Sequence, residues 1–163
     1  GWCRRLMLLR TGMGDSDTPP EPMRATQGGR QSRPTRSEPK ASEGGPPHGL
    51  ARMARQYGYS RAAADAAPER VAQILAMLAR QLAAQRVSGR HYLVGDCLSA
   101  ADIYWAAMAA LVAPLPAEVC AMPEMLRGLY ANPGPVVAKA LDPALLAHRD
   151  RIYREHMEFP LAL

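Results

Sequence analysis

Apolar residues in the middle of this 163-residue chain recur at the spacing of one helical face. The clearest set consists of Val71, Ile74, Leu75, Leu78 and Leu82. Pro68 is predicted as the first residue of this helix. Proline lacks a backbone N–H, and at the first helical position that N–H would have no partner within the helix. Gly89 is predicted just beyond the end of the helix. No segment alternates apolar and polar side chains as a half-buried strand does. The sequence therefore predicts an all-α fold.

The first part of the chain differs in composition from the rest. Between residues 11 and 47 the only large apolar side chains are Met13 and Met23, among many Gly, Pro, Ser and Thr residues. Such a segment buries too little apolar area to offset the conformational entropy lost on ordering. We therefore predict a disordered tail over residues 1–48 and a helical domain over residues 49–163.

Charge and cysteine content narrow the classes of partner and compartment. The net charge of +5 is divided between the tail and the domain, so nucleic acid is not expected as a partner. The alternative for the tail is an arginine-rich binding arm, formed by Arg24, Arg30, Arg33 and Arg36. No apolar run reaches the roughly 18 residues of a transmembrane helix, so no membrane association is expected. Three cysteines without a CxxC pair favour a reducing, cytoplasmic location.

The most informative stretch is residues 92–103, YLVGDCLSAADI. Ser99 is predicted to cap a helix, its hydroxyl accepting the N–H of Asp102 while the Asp102 carboxylate accepts the N–H of Ser99. Leu98, just before the cap, is predicted to meet Ile103 as a hydrophobic staple. Inside this helix the inward face is predicted from spacing, and it comprises Ile103, Ala107, Ala110 and Leu111.

A long amphipathic helix followed by this string resembles the segment that joins the fifth and sixth helices of glutathione S-transferases. The pattern of that family is roughly Tyr/Phe-Leu-x-Gly-Asp-x-Leu-Ser/Thr-x-Ala-Asp. The matching residues are Tyr92, Leu93, Gly95, Asp96, Leu98, Ser99, Ala101 and Asp102. The resemblance extends over residues 50–163 and implies the helical bundle of the family's C-terminal domain.

The resemblance also implies a preceding thioredoxin-like domain, which binds glutathione and activates its thiol. Residues 1–49 show none of its strand pattern, so no catalytic residue is predicted in this chain. Glutathione is expected as the co-substrate of the parent family, and no cofactor is expected in the chain itself. His148 and His156 lie eight residues apart on a face expected to be solvated, which is too far for an i, i+4 metal pair, so no metal site is predicted.

Four aromatic residues are the candidates for a substrate pocket. In relatives, the end of the fourth helix and nearby parts of the sixth line the pocket for the electrophile. The residues placed there by the resemblance are Tyr57, Tyr59, Tyr104 and Trp105. The alternative interpretation of each is ordinary packing between helices.

Two functions remain open. The first is the C-terminal domain of a glutathione S-transferase-like protein, inactive alone, whose parent activity conjugates glutathione to an electrophilic small molecule. The second is a non-catalytic helical module of the same fold that binds proteins. The bundle surface left bare by the missing domain is expected to be apolar. A homodimer or a thioredoxin-like domain is the expected partner.

Overall fold

The computed structural model describes residues 2–13 and 48–157 of the chain. These residues form helices and no strand, which confirms the predicted all-α class. The helices are α1 (Trp2–Met13), α2 (His48–Gln56), α3 (Arg61–Val87), α4 (Ala100–Ala109), α5 (Glu124–Ala131), α6 (Pro135–Ala140) and α7 (Pro143–His156). Within the described part of the chain, no helix has both the length and the apolar character needed to cross a bilayer.

Helix α1 corrects the expectation of a disordered tail for residues 2–13. Leu6 and Leu9 are buried in a cluster with Ala64 and Ala67 of α3. Alanine lets two helices approach closely. A short helix with two buried leucines can therefore still pack tightly against α3. Residues 14–47, which include the candidate arginine-rich arm, lie outside the described residues.

Helix α3 begins earlier than predicted and ends as predicted. Ser60 caps its N-terminus, and its side chain accepts a hydrogen bond from the N–H of Ala63 at 3.2 Å. Pro68 therefore lies inside the helix and is not its first residue. A serine cap was available eight residues upstream, and it outweighed the proline as a start signal. Gly89 follows the helix with φ +71°, a conformation that glycine adopts without strain.

Helix α4 packs against α7, with one side buried and the other exposed, and its buried face differs from the predicted one. The buried residues of α4 are Asp102, Trp105, Ala106 and Ala109. Ile103 is 42 % exposed, while Leu98 packs against the cluster around Ala106 and Tyr153. The expected Leu98–Ile103 staple is therefore replaced by packing of Leu98 on the core. A polar residue, Asp102, occupies the interior because its hydrogen bonds are all satisfied there.

Helix α7 packs along α4, and its start is predicted by Asp142-Pro143 in the sequence, an N-cap followed by a proline. The carboxylate of Asp142 accepts the N–H of Ala144 at 2.7 Å, with proline at the first helical position. Long-range hydrogen bonds connect α7 to α4. The indole N–H of Trp105 donates to the carbonyl of Leu145 at 2.9 Å, and the Tyr153 hydroxyl donates to the Ala106 carbonyl at 3.3 Å.

Candidate functional site

The carboxylate of Asp102 is a polar group in the core of the bundle and is fully buried. Its Oδ2 accepts the backbone N–H of Ser99 at 3.0 Å and the Ser99 hydroxyl at 2.5 Å. These bonds belong to a capping box at the start of α4. Because the carboxylate also lies at the positive end of the helix dipole, its charge is stabilised at this position.

The other oxygen of Asp102 connects α4 to the rest of the fold. Its Oδ1 accepts the backbone N–H of Leu93 at 2.8 Å and contacts Nε2 of His148 at 2.7 Å. His148 is 1 % exposed, so the prediction that it lies on a solvated face is wrong. One carboxylate thus holds together the loop before α4, the start of α4 and the middle of α7.

Burial and hydrogen bonding have opposite effects on the pKa of Asp102 and on the pKa of His148. Burial alone would raise the pKa of Asp102, but the bonds from Ser99, Leu93 and His148 outweigh it and keep that pKa below its ordinary value. For His148 burial dominates and lowers the pKa, although Asp102 raises it; Arg151 and Arg86 lower it further. His148 is therefore neutral, and its Nε2–H donates to the ionised Asp102.

Ser99, Asp102 and His148 are the residue types of a hydrolase triad, but the order in which they are hydrogen-bonded excludes that chemistry. The carboxylate lies between the other two groups, and the serine hydroxyl donates to it rather than to the imidazole. A triad needs the imidazole next to the hydroxyl and open to substrate. This network therefore stabilises the fold, and ligand binding must be sought elsewhere.

The lowered pKa of His148 predicts that stability falls on acidification. An unfolded histidine takes up a proton near pH 6.5, before the folded one does. The stability contributed by neutral His148 is thus present above about pH 6.5 and is lost as the pH falls through the folded pKa, by at most about 1.4 kcal/mol per pH unit. The contribution of Asp102, whose pKa is also lowered, is lost only in more acidic solution.

Urea unfolding between pH 7.5 and 5 measures this dependence. His148→Gln is the matched variant, because its amide can still donate to Asp102 but does not titrate. We expect a shallower decline of the free energy of unfolding for this variant than for the parent chain. Equal slopes for the two chains would show that His148 is not the titrating group.

A cavity of about 440 Å³ lies between α1, α3 and α4. Its α3 wall consists of Val71, Ile74, Leu75 and Leu78. Its α4 wall consists of Ala101, Tyr104, Trp105 and Met108. Cys3 and Arg4 of α1 complete it together with Leu111 and Val112. A volume of this size, with apolar walls and a few polar groups, suits a small organic molecule.

The structure brings together two of the four aromatic residues predicted for a pocket. Tyr104 is 69 % exposed and Trp105 is buried, and both line the cavity. The Trp105 N–H is engaged by Leu145, so its ring contributes an apolar surface. Tyr57 and Tyr59 pack instead in the cluster between α1, α2 and α3. For these two, the structure shows the packing role that was the alternative interpretation.

Arg4 is the residue that sequence reasoning missed, since it was assigned to the tail. It is 5 % exposed. Its Nε donates to the Leu111 carbonyl at 2.8 Å, and its Nη2 donates to the carbonyls of Leu129 at 2.8 Å and Asn132 at 3.1 Å. Burial lowers the pKa of Arg4, and Tyr130 partly opposes this. The i, i+3 leucines Leu6 and Leu9 were the available signal that this segment forms a helix.

An all-helical bundle, in which a capping box begins α4 and its carboxylate is buried against α7, defines the class of domain to which this chain belongs. Residues 61–151 match the family model described as Glutathione S-transferase, C-terminal domain. The match covers more than half of the chain, which therefore belongs to the glutathione S-transferase family through this domain, and the predicted family is confirmed. No curated protein and no solved structure matches the chain. Helices α1 and α2 lie outside the matched range.

Proposed function

We propose that this chain is the helical half of a protein that conjugates glutathione to an electrophilic small molecule. The observation that carries the proposal is an open apolar cavity on α3 and α4, within a domain of the glutathione S-transferase family. In such a reaction the glutathione thiolate forms a carbon–sulfur bond, and either a leaving group departs as an anion or a polarised double bond is broken and its carbanion takes up a proton. A thioredoxin-like domain would bind glutathione and lower its thiol pKa, so the chain alone is inactive.

The contribution of this chain would be to hold the electrophile. The rings of Tyr104 and Trp105, with the α3 wall, remove the apolar part of a substrate from water. The exposed position of Tyr104 places an aromatic residue with a polar tip at the cavity mouth. The cysteines at positions 3, 97 and 120 are all free thiols, which supports a reducing, cytoplasmic setting.

Calorimetric titration of the 163-residue chain with glutathione tests whether glutathione binding requires the thioredoxin-like domain. We expect no binding, because the residues that hold the peptide would belong to the thioredoxin-like domain. A micromolar dissociation constant for this chain would contradict the proposal.

The gain of activity is tested in a fusion that places a thioredoxin-like glutathione-binding domain ahead of Gly1. We expect conjugation of 1-chloro-2,4-dinitrobenzene, followed by absorbance. The matched control is the same fusion with Ile74→Trp, which fills the cavity from the α3 wall. Its expected phenotype is retained glutathione binding with lost turnover. Equal turnover of both fusions would show that the cavity does not hold the electrophile.

The second candidate function is a non-catalytic module that binds another protein. It is favoured by apolar side chains of α3 and α4 that remain open to solvent. These exposed residues are Ile74, Met77, Ile103, Tyr104 and Met108. A second copy of the chain or a thioredoxin-like domain would cover them. Sedimentation of the chain over a range of concentrations distinguishes self-association from a monomer that needs a different partner.

A further inference from the structure

Helix α1 contacts the rest of the described chain on two sides. Leu6 and Leu9 pack in one cluster with small side chains of α2 and α3, which are Ala54, Ala64 and Ala67. The guanidinium of Arg4 donates to three backbone carbonyls of the segments that follow α4 and end α5. Residues two positions apart on a helix point in nearly opposite directions, so Arg4 and Leu6 contact different surfaces. Helix α1 therefore lies in a groove with one apolar and one polar wall.

The polar wall of the groove consists of main-chain acceptors. The carbonyls that accept from Arg4 belong to Leu111, Leu129 and Asn132. Two of these residues lie at the C-terminal end of α5, where the last carbonyls lack a partner within the helix and the helix dipole attracts a cation. Any helix that places an arginine beside these atoms can use them. The α1 groove is defined here by these carbonyls and by the side chains of Ala54, Ala64 and Ala67.

The anchors of α1 form a short pattern. Recognition of a helix in a groove relies on a few anchor side chains of an amphipathic helix. In α1 these are Arg4, Leu6 and Leu9, which read Arg-x-Leu-x-x-Leu. Arg10 adds an ion pair with Asp65 at 3.2 Å, but Asp65 is exposed, so this contact contributes little. The pattern, rather than the whole sequence of α1, thus defines the helices that fit.

The fit of α1 is incomplete at one buried atom. Tyr59 is 5 % exposed and belongs to the same cluster as Leu6 and Leu9. Its hydroxyl has no hydrogen-bond partner among the described residues. A buried hydroxyl without a partner costs free energy that a hydrated hydroxyl does not. A helix that offered an acceptor to this hydroxyl would therefore bind more tightly than α1 does.

The connection between α1 and α2 also favours a helix that can leave its groove. Residues 14–47 separate the two helices in the sequence, and Met23 is the only large apolar side chain among them. A stretch of this composition is predicted to act as a tether. It would keep α1 near its groove at an effective concentration on the order of a millimolar.

We propose that the α1 groove is a docking site for an amphipathic helix of a partner protein, with an arginine followed by leucines two and five positions later. Helix α1 occupies this site as a tethered competitor. A partner helix displaces it by offering the acceptor that the Tyr59 hydroxyl lacks. The inference goes beyond the proposed function and does not depend on it, since the α1 groove needs neither glutathione nor an electrophile.

Cleavage of the tether in the folded chain tests whether α1 exchanges. A site for a sequence-specific protease is inserted between Gly28 and Gly29. The probe is a fluorescein-labelled peptide of residues 1–13 with Cys3→Ser, followed by anisotropy. In the cut chain we expect a dissociation constant of about 0.1 mM or below, because a docked α1 implies an affinity well below the effective concentration. In the uncut chain the peptide should bind at least about tenfold more weakly, since tethered α1 competes.

A second peptide tests whether the pattern is recognised. It keeps only Arg4, Leu6 and Leu9, and helix-forming alanine and glutamine fill the other positions. We expect it to displace the labelled peptide from the cut chain. The matched control has the same composition with both leucines moved by two positions, which points them away from the apolar wall. This control should not displace the probe.

Two tyrosine variants of the cut chain test the incomplete fit. Tyr59→Phe should tighten binding of the labelled peptide several-fold, because no hydroxyl loses water when the helix docks. Tyr57→Phe is the matched control, since the Tyr57 hydroxyl accepts from Nη1 of Arg5 at 3.3 Å. Its loss should not tighten binding. Equal responses of the two variants would overturn the expectation that a partner helix can outcompete α1.

Other results would overturn the docking site itself. One is a cut chain that keeps its helical circular dichroism and never exchanges its own α1 for the labelled peptide. Another is a cut chain that unfolds and is not restored by the peptide, because α1 would then be an inseparable part of the fold. A third is equal displacement by the pattern peptide and its control. None of these results bears on glutathione conjugation by the fusion, which tests the proposed function separately.

Discussion

Asp102→Ala is expected to lower the free energy of unfolding by about 3–5 kcal/mol, because each buried or half-buried donor that loses its acceptor costs roughly 1–3 kcal/mol. The alanine leaves four donors in the interior without an acceptor. These donors are the N–H of Leu93, the N–H and hydroxyl of Ser99, and Nε2–H of His148. His148 is the most costly of them, since it is buried on α7 with no water to replace the carboxylate.

Urea unfolding followed by far-UV circular dichroism measures this loss. The matched control is Ser99→Ala, which removes the cap hydroxyl but leaves the carboxylate in place, and should cost about 0.5–2 kcal/mol with a lower melting temperature. The comparison separates a local helix cap from a long-range connection. If the two variants lost the same free energy, the bonds from Leu93 and His148 would contribute nothing, and Asp102 would act as a cap only.

Arg4→Met is expected to lower the free energy of unfolding by about 3 kcal/mol, because it removes charge-assisted hydrogen bonds to three backbone carbonyls. Methionine keeps the apolar stem of the side chain, so most of the expected loss comes from the guanidinium. The carbonyls of Leu111, Leu129 and Asn132 belong to the segments that follow α4 and end α5. Arg4 therefore connects α1 to parts of the bundle more than 100 residues away.

The neighbouring residue supplies the control for this measurement. Arg5 contacts Tyr57, with its guanidinium 5.1 Å from the ring centre and Nη1 donating to the hydroxyl at 3.3 Å. Arg5→Met should cost less than about 1 kcal/mol, since such a partly exposed contact is weak. Equal losses for the Arg4 and Arg5 variants would mean that α1 is not seated on the bundle, as the disordered tail expected from composition would require.

The packing of α1 on the bundle also completes the wall of the cavity that is the candidate ligand site. Helix α1 lies outside the range that matches the family, yet Cys3 and Arg4 form part of the cavity wall. The walls from α3 and α4 are supplied by the family domain, whereas α1 belongs to the segment before it. The cavity wall in this protein thus includes residues of a helix that lies outside the family match.

Features that depend on near neighbours in the chain could be predicted from sequence. The helical face of α3, its end near Gly89 and the cap of α7 by Asp142 all arise from residues within about four positions of one another. The hydrogen bond between the Asp102 carboxylate and Ser99 could also be predicted from sequence, since only three positions separate the two residues. Local spacing also carried the family resemblance, which the match over residues 61–151 confirms.

Features that depend on packing between distant segments were decided only by the tertiary structure. Spacing within α4 cannot tell which face is buried, because Ile103 and Trp105 are both large and apolar, and the position of α7 selects Trp105. His148 meets Asp102 across 46 positions, and Arg4 reaches Leu111 across 107. A composition rule applied to residues 1–48 missed α1 for the same reason: its two buried leucines, Leu6 and Leu9, are buried only by packing against the alanines of α3. Sequence alone thus determined the all-α class and the family, while the buried Asp102–His148 hydrogen bond, the packing of α1 on the bundle and the cavity required the folded chain to bring distant groups together.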